Sequence, residues 1–225
     1  YRKFDAAWQE DNDASPAQIV LGFEHLFHRQ FSQELHLSGA FGPNKLVEWT
    51  LGGYYYDETT VYPTHQVLNY AGALDFYGND PVTANSKAGF LNATVHITPK
   101  LALNAGIRYT TEEKTYNYTR LNPDGTPSFV LGSVNGQSAT YSGHHWDYRA
   151  NLDYHFTNDV MAYASFSTGF KGGGTNPRPY FGPGAGCANP QCQLQSCGPE
   201  ERDAYEIGVK SSFLDHRVAI NIAGY

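Results

Sequence analysis

Apolar residues along this chain recur at every second position in short stretches, each ended by a tight turn or a long polar segment. In residues 101–109, Leu101, Leu103, Ala105, Ile107 and Tyr109 share one parity, while Ala102, Asn104, Gly106 and Arg108 share the other. A strand sends alternate side chains to opposite faces, so the stretch reads as a strand with one apolar and one polar side. The same division sets Trp146, Tyr148, Ala150, Leu152, Tyr154 and Phe156 against Asp147, Arg149, Asn151, Asp153 and His155. It sets Tyr205, Ile207, Val209, Ser211 and Phe213 against Ala204, Glu206, Gly208, Lys210 and Ser212. Phe31, Leu35 and Leu37 likewise oppose Glu34, His36 and Ser38. Around Trp49, Leu51, Gly53 and Tyr55 the division is blurred by Tyr54 and Tyr56. The pattern predicts about nine strands, the first and last incomplete.

Short and long connections alternate. Tight turns are expected at Gly42-Pro43-Asn44-Lys45, Thr98-Pro99-Lys100, Thr157-Asn158-Asp159 and Leu214-Asp215-His216, with long loops over 12–29, 59–85, 119–143 and 175–201. In a compact soluble domain four such loops would count against the assignment. Antiparallel outer-membrane barrels, by contrast, have short turns on one side and long loops on the other. Aromatic residues gather at strand ends: Tyr54 to Tyr56, Tyr116 and Tyr118, Trp146 and Tyr148, Phe166 and Phe170. Rings at the headgroup level would form the aromatic girdles of such a barrel, although tyrosine also simply favours strands.

Composition agrees. Charged residues make up 16% of the chain and aromatics 15%, with 17 Tyr, 23 Gly and a single Met, which suits exposed strands and turns better than a helical core. The mean hydropathy of -0.49 argues only against a helical membrane protein, because a barrel wall hides its apolar half in alternation. No run approaches the 18 or more apolar residues of a spanning helix. A net charge of -7, with the basic residues scattered, leaves no footprint for nucleic acid. The chain opens at Tyr1-Arg2-Lys3-Phe4 without a leader and stops at residues 218–225 inside a strand-like pattern, so residues 1–225 are expected to be a piece of a longer barrel.

Candidate chemistry points away from catalysis. His144 and His145 are adjacent, and neighbours on a strand face opposite ways, so they do not easily share a metal ion. His25 and His28 lie three apart in an expected loop, open to contact with a bound ligand. Gly169 to Gly174 with Lys171 lacks the order of a phosphate loop, and its glycines are read as letting the strand bend or approach another element closely. Ser165, Ser167 and Thr168 have no nucleophile elbow, and Glu112-Glu113 beside Lys114 reads as a solvated strand end. Neither enzyme activity nor a cofactor or metal is expected. Cys187, Cys192 and Cys197 fall within eleven residues with no nearby His, a poor zinc set. A small loop disulfide is expected from them, its pairing open and one thiol left over. Glu34, Arg108, Arg149, Asp153, Glu206 and Lys210 all have polar-face parity. Arg or Lys facing lipid at midplane costs roughly 2 to 4 kcal/mol, so their phase marks the barrel interior.

Five segments in order resemble the TonB-dependent receptors, plugged transporters of Gram-negative outer membranes. They are Phe31-Ser-Gln-Glu-Leu-His-Leu37, Glu48-Trp-Thr-Leu-Gly-Gly-Tyr-Tyr-Tyr-Asp-Glu58, Ala105-Gly-Ile-Arg-Tyr-Thr-Thr-Glu-Glu-Lys114, Tyr163-Ala-Ser-Phe-Ser-Thr-Gly-Phe-Lys-Gly-Gly-Gly174, and Pro199-Glu200 with Tyr205-Glu-Ile-Gly-Val-Lys-Ser211. His36 stands where the family commonly has Arg. The resemblance implies an all-β, antiparallel transmembrane β-barrel, here a partial one from a 22-stranded parent, with the plug, the TonB box and the closing strands not matched. It implies outer-membrane uptake of a scarce nutrient such as a ferric siderophore. The implied partners are the plug, the TonB energy-coupling complex, the nutrient ligand and outer-membrane lipid. Aromatic and basic residues expected in loops are candidate ligand contacts: Tyr62, His65, Tyr70, His144, Arg178, Tyr180 and Phe181. A passive porin-like barrel and a soluble secreted glycan-binding β protein are the alternatives.

Overall fold

The computed structural model describes residues 1–17, 19–69, 74–128, 134–176, 194 and 196–225. Strands run β1 (Arg2–Asp11), β2 (Val20–Phe41), β3 (Val47–Leu68), β4 (Leu74–Thr98), β5 (Leu101–Asn117), β6 (Ser138–His155), β7 (Val160–Lys171), β8 (Gly174–Thr175), β9 (Ser196–Cys197), β10 (Glu200–Phe213) and β11 (Val218–Gly224). Nine of them form one antiparallel sheet in the order β1-β2-β3-β4-β5-β6-β7-β10-β11, and β8 and β9 pair separately. The sheet runs from edge to edge without closing.

The tight turns fall where Gly, Pro, Asn and Asp predict them. Gly42, Asn44 and Lys45 take positive φ between β2 and β3, as do Leu214, Asp215 and His216 between β10 and β11. At the opposite ends the strands overrun the expected loops. β2 begins at Val20, and β3 and β4 run for 22 and 25 residues and stay paired out to Leu68 and Leu74. Most of 59–85 is therefore strand, and Tyr62 and His65 stand on β3 and His144 on β6 rather than in loops. These extensions carry polar and aromatic residues on both faces, so the apolar alternation that marks a strand fades although the pairing persists.

Register turns the alternation into rows. Leu37, Leu51, Leu91, Ile107 and Tyr148 pair in succession from β2 to β6, and Val47, Val95, Leu103, Leu152, Ala164 and Ile207 do so from β3 to β10. Among the described residues nothing covers this face: Leu35 is 71% exposed, Ile207 67% and Ile222 69%. Counted from the tight turns, its apolar run gives way to Gln33, Asp57, Lys87, Thr111, His144 and Asp203 on β2, β3, β4, β5, β6 and β10. About ten residues of tilted strand cross a hydrocarbon core, close to the length these runs supply on β3, β5, β6 and β10.

Candidate functional site

The opposite face is polar and self-packed. Arg108 places its guanidinium 5.5 Å from the ring centre of Tyr54 and 5.7 Å from that of Phe90. The Phe90 ring sits against Gly52, where an added Cβ would come within 2.2 Å of it. Lys210 stands 5.2 Å over the Tyr163 ring, and the Tyr163 hydroxyl donates to Glu206. Tyr163 covers Gly208 as Phe90 covers Gly52. Asn151 donates to Asp153 at 2.8 Å. Arg149 pairs in register with Gly106 and Ser167, and Glu34 with Tyr54. All six predicted interior charges thus lie on the face opposite the apolar rows. Asp147 stands opposite Arg108 in the β5–β6 register, so ring contacts and a carboxylate on the next strand together accommodate Arg108 on this face, while Lys210 rests on the Tyr163 ring.

Beyond the apolar run, this face builds a cluster. The carboxylate of Asp80 (β4) accepts from Arg120 Nη1 at 2.7 and 2.8 Å, from the Tyr116 hydroxyl at 2.9 Å and from the Thr119 amide at 2.9 Å. The Asp80 and Arg120 side chains are each 8% exposed. Arg120 also lies over the rings of Phe76 and Tyr118, at 5.8 and 5.9 Å. Tyr118 is buried with Val134 and Ala139, and its hydroxyl donates to the Asn176 carbonyl at 2.6 Å. Burial raises the pKa of the Tyr116 phenol, helped by the Asp80 charge and its hydrogen bond; burial likewise raises that of Tyr118. Both phenols therefore stay protonated and act as donors. The pattern of apolar residues gives no sign of this cluster: Asp80 and Arg120 sit singly in expected loops, and only pairing across 40 residues brings them together.

The glycine run after β7 is explained beside it. Its strap crosses the polar face, and an added Cβ on Gly173 would come within 2.3 Å of the Cys197 carbonyl and 2.4 Å of the Tyr141 ring. Lys114 Nζ donates to the Gly173 carbonyl at 2.9 Å. Phe170 stacks on His145, their ring centres 3.9 Å apart. The expected girdle is thus divided: Tyr55, Trp146 and Tyr148 stand on the apolar face, while Tyr54, Tyr56, Tyr116 and Tyr118 belong to the polar one.

The candidate ligand contacts separate the same way. Tyr62 pairs in register with Asp80 on the polar face. His65 and His144 share the parity of the apolar rows: His65 stacks on Tyr77 and Phe23, and His144 lies beside Tyr109. Tyr70, Arg178, Tyr180, Phe181, Cys187 and Cys192 lie outside the described residues. Cys197 is exposed on β9, its thiol 3.4 Å from the Gly174 carbonyl. Among the described residues no group of three or more His, Cys, Asp or Glu could hold a metal ion.

A nine-stranded antiparallel sheet with an exposed apolar belt on one face and a packed polar lining on the other is a segment of β-barrel wall. The chain matches the family model described as TonB dependent receptor-like, beta-barrel over residues 2–225, and it belongs to that family. Its fold is similar to that of the ferric yersiniabactin uptake receptor FyuA of Yersinia pestis, with a TM-score of 0.73 at 16% identity over 98% of this chain and 30% of that one. It is also similar to the ferric-catecholate import receptor Fiu of E. coli K12, with a TM-score of 0.65 at 18% identity over 98% and 36%. For the alcaligin outer membrane receptor FauA of Bordetella pertussis the TM-score is 0.56 at 16% identity, over 91% and 29%. The chain spans roughly a third of the length of these receptors.

Proposed function

We propose that this chain forms part of the wall and outer mouth of an outer-membrane transporter that takes up a ferric chelate with energy supplied through TonB. The observation that carries the reading is the set of apolar rows continuous across the sheet and left uncovered, which in water would be a large aggregation-prone patch. In a bilayer these rows meet hydrocarbon, and the paired backbone satisfies the polar groups that lipid cannot. The polar face, with Glu34, Arg108, Arg149, Asp153, Glu206 and Lys210, then lines the interior and meets a plug or lumen water. The complete protein supplies the plug, its contact with the TonB complex and the strands that close the barrel.

Ferric chelates are the favoured cargo because the similar structures are receptors for ferric yersiniabactin and for ferric catecholates. Tyr62 faces the mouth and is a proposed ligand contact, with Tyr70, Arg178, Tyr180 and Phe181 from the neighbouring segments. His65 and His144, on the exterior, are not.

The test uses the complete receptor in cells lacking their own ferric-chelate receptors, supplied with radio-iron on a panel of catecholate, hydroxamate and thiazoline chelators. Uptake of at least one, abolished when the proton gradient is collapsed, is the expected result. Uptake of none would remove iron as the cargo. Gradient-independent entry of small sugars would make the barrel a passive pore.

A further inference from the structure

Above the apolar belt the exterior face of β1–β4 is not plain solvated surface. Lys3 and Arg29 stand directly opposite each other in the β1–β2 register, both exposed. Like charges placed so destabilise a strand pair. Among the described residues no carboxylate lies within 4.0 Å of either charge, and Arg29 Nη2 reaches only the Thr59 hydroxyl at 3.5 Å. Arg29 lies four residues beyond Gln33, where the apolar run of β2 gives way, and two beyond Phe31. Two cations facing one another at that height fit a phosphate.

Farther out, Phe23, His65 and Tyr77 form one cross-strand row on the same face. Ring centres are 5.5 Å apart for Phe23 and His65, with planes at 19°, and 4.2 Å apart for His65 and Tyr77, at 9°. Phe23 is 39% exposed and Tyr77 43%. Asp75 fixes the His65 ring through a 2.8 Å hydrogen bond. The row lies eight residues beyond Phe31 and Asp57, roughly 20 Å along tilted strands, out of reach of acyl chains. A flat run of rings beside a carboxylate suits a neutral sugar ring, whose CH face stacks and whose hydroxyls donate. The Asp75 charge disfavours phosphate there.

We infer that this face binds the headgroup of a phosphorylated glycolipid of the outer leaflet, Lys3 and Arg29 taking a phosphate and the Phe23–His65–Tyr77 row a sugar ring. Continuity with the lipid-facing belt selects a membrane component over a soluble partner. The inference rests on reading the apolar rows as lipid-facing. A complete receptor that stays monodisperse without detergent would overturn that reading by itself, whatever it binds.

The complete receptor, in micelles doped with lipopolysaccharide or with phosphatidylglycerol, is examined by native mass spectrometry. Retained lipopolysaccharide is expected to fall about fivefold for each cation removed in Lys3→Gln and Arg29→Gln. The pair Phe23→Ala and Tyr77→Ala should lower lipopolysaccharide retention and leave phosphatidylglycerol, which has no sugar, unchanged. A heat-induced shift in gel mobility equal to the parent's shows that each variant still forms a barrel. Equal lipopolysaccharide retention by parent and variants would overturn the inference. So would a parent dimer that the aromatic variants dissolve, which would make this face a contact between two copies of the chain.

Discussion

At the scale of single residues, the buried pair of Asp80 and Arg120 is the point of greatest local consequence. Its stability does not come from Coulomb attraction alone, since removing two charges from water costs several kcal/mol per ion. The compensation is the Tyr116 hydroxyl, the Thr119 amide and the Phe76 and Tyr118 rings, which together satisfy most of what water would have offered. Removing one partner leaves the other charge buried and unanswered. Arg120→Ala is therefore expected to destabilise this end of the wall by about 3 to 5 kcal/mol. The cluster sits beyond the belt, so the loss is local. Protease cleavage within 118–137 should appear in the variant embedded in membrane, while the heat-induced shift in gel mobility stays as in the parent. Cleavage equal to the parent's would show that the pair does not hold this segment.

At the scale of elements, the close approach of the strap between β7 and β8 explains two of the three consecutive glycines, Gly172 and Gly173. Gly173 admits no side chain because backbone, the Cys197 carbonyl, stands in the way, whereas Gly174 faces open space. Gly173→Ala should lift the strap from Tyr141 and raise cleavage over 172–199, and Gly174→Ala should leave it unchanged; equal effects would refute the close approach. The two faces of a strand differ in the same decisive way. Ile107→Arg places a charge against hydrocarbon at roughly 2 to 4 kcal/mol, while Asn104→Arg, on the polar face, does not. The first should impair assembly of the complete barrel and the second far less, as read by heat-modifiable mobility. The alternation around Ile107 made this strand legible in the sequence, as it did β6 and β10. It failed at β3 and β4 beyond Tyr55 and Lys87, where the strands have left the apolar belt and neither face repeats an apolar residue at every second position. There only pairing keeps the backbone extended, and the Asp80–Arg120 cluster was hidden with it. Parity placed the six charges on the polar face, but the rings packed there, Phe90 on Gly52 and Tyr163 on Gly208, depend on neighbours that no single strand displays.

For the whole molecule, the question is what the sheet does at its two ends. β1 and β11 each have a neighbour on one side only, so each leaves a row of backbone groups unpaired. In water those groups are solvated at little cost, but the apolar rows are not; in a bilayer the rows are at ease and the free edges are costly. No single solvent satisfies both features, and closure by further strands resolves the conflict. The 225-residue chain expressed alone is therefore expected to aggregate or to pair edge to edge, and to transport nothing, in detergent as in buffer. Sedimentation velocity in mild detergent tests this. A dominant species of one chain, with retained strand content by circular dichroism, would show that the sheet tolerates its edges, and the requirement for additional strands would fall. Restoring the rest of the barrel should convert the same residues to a single, heat-modifiable species, because the edges then pair while the belt stays in contact with lipid.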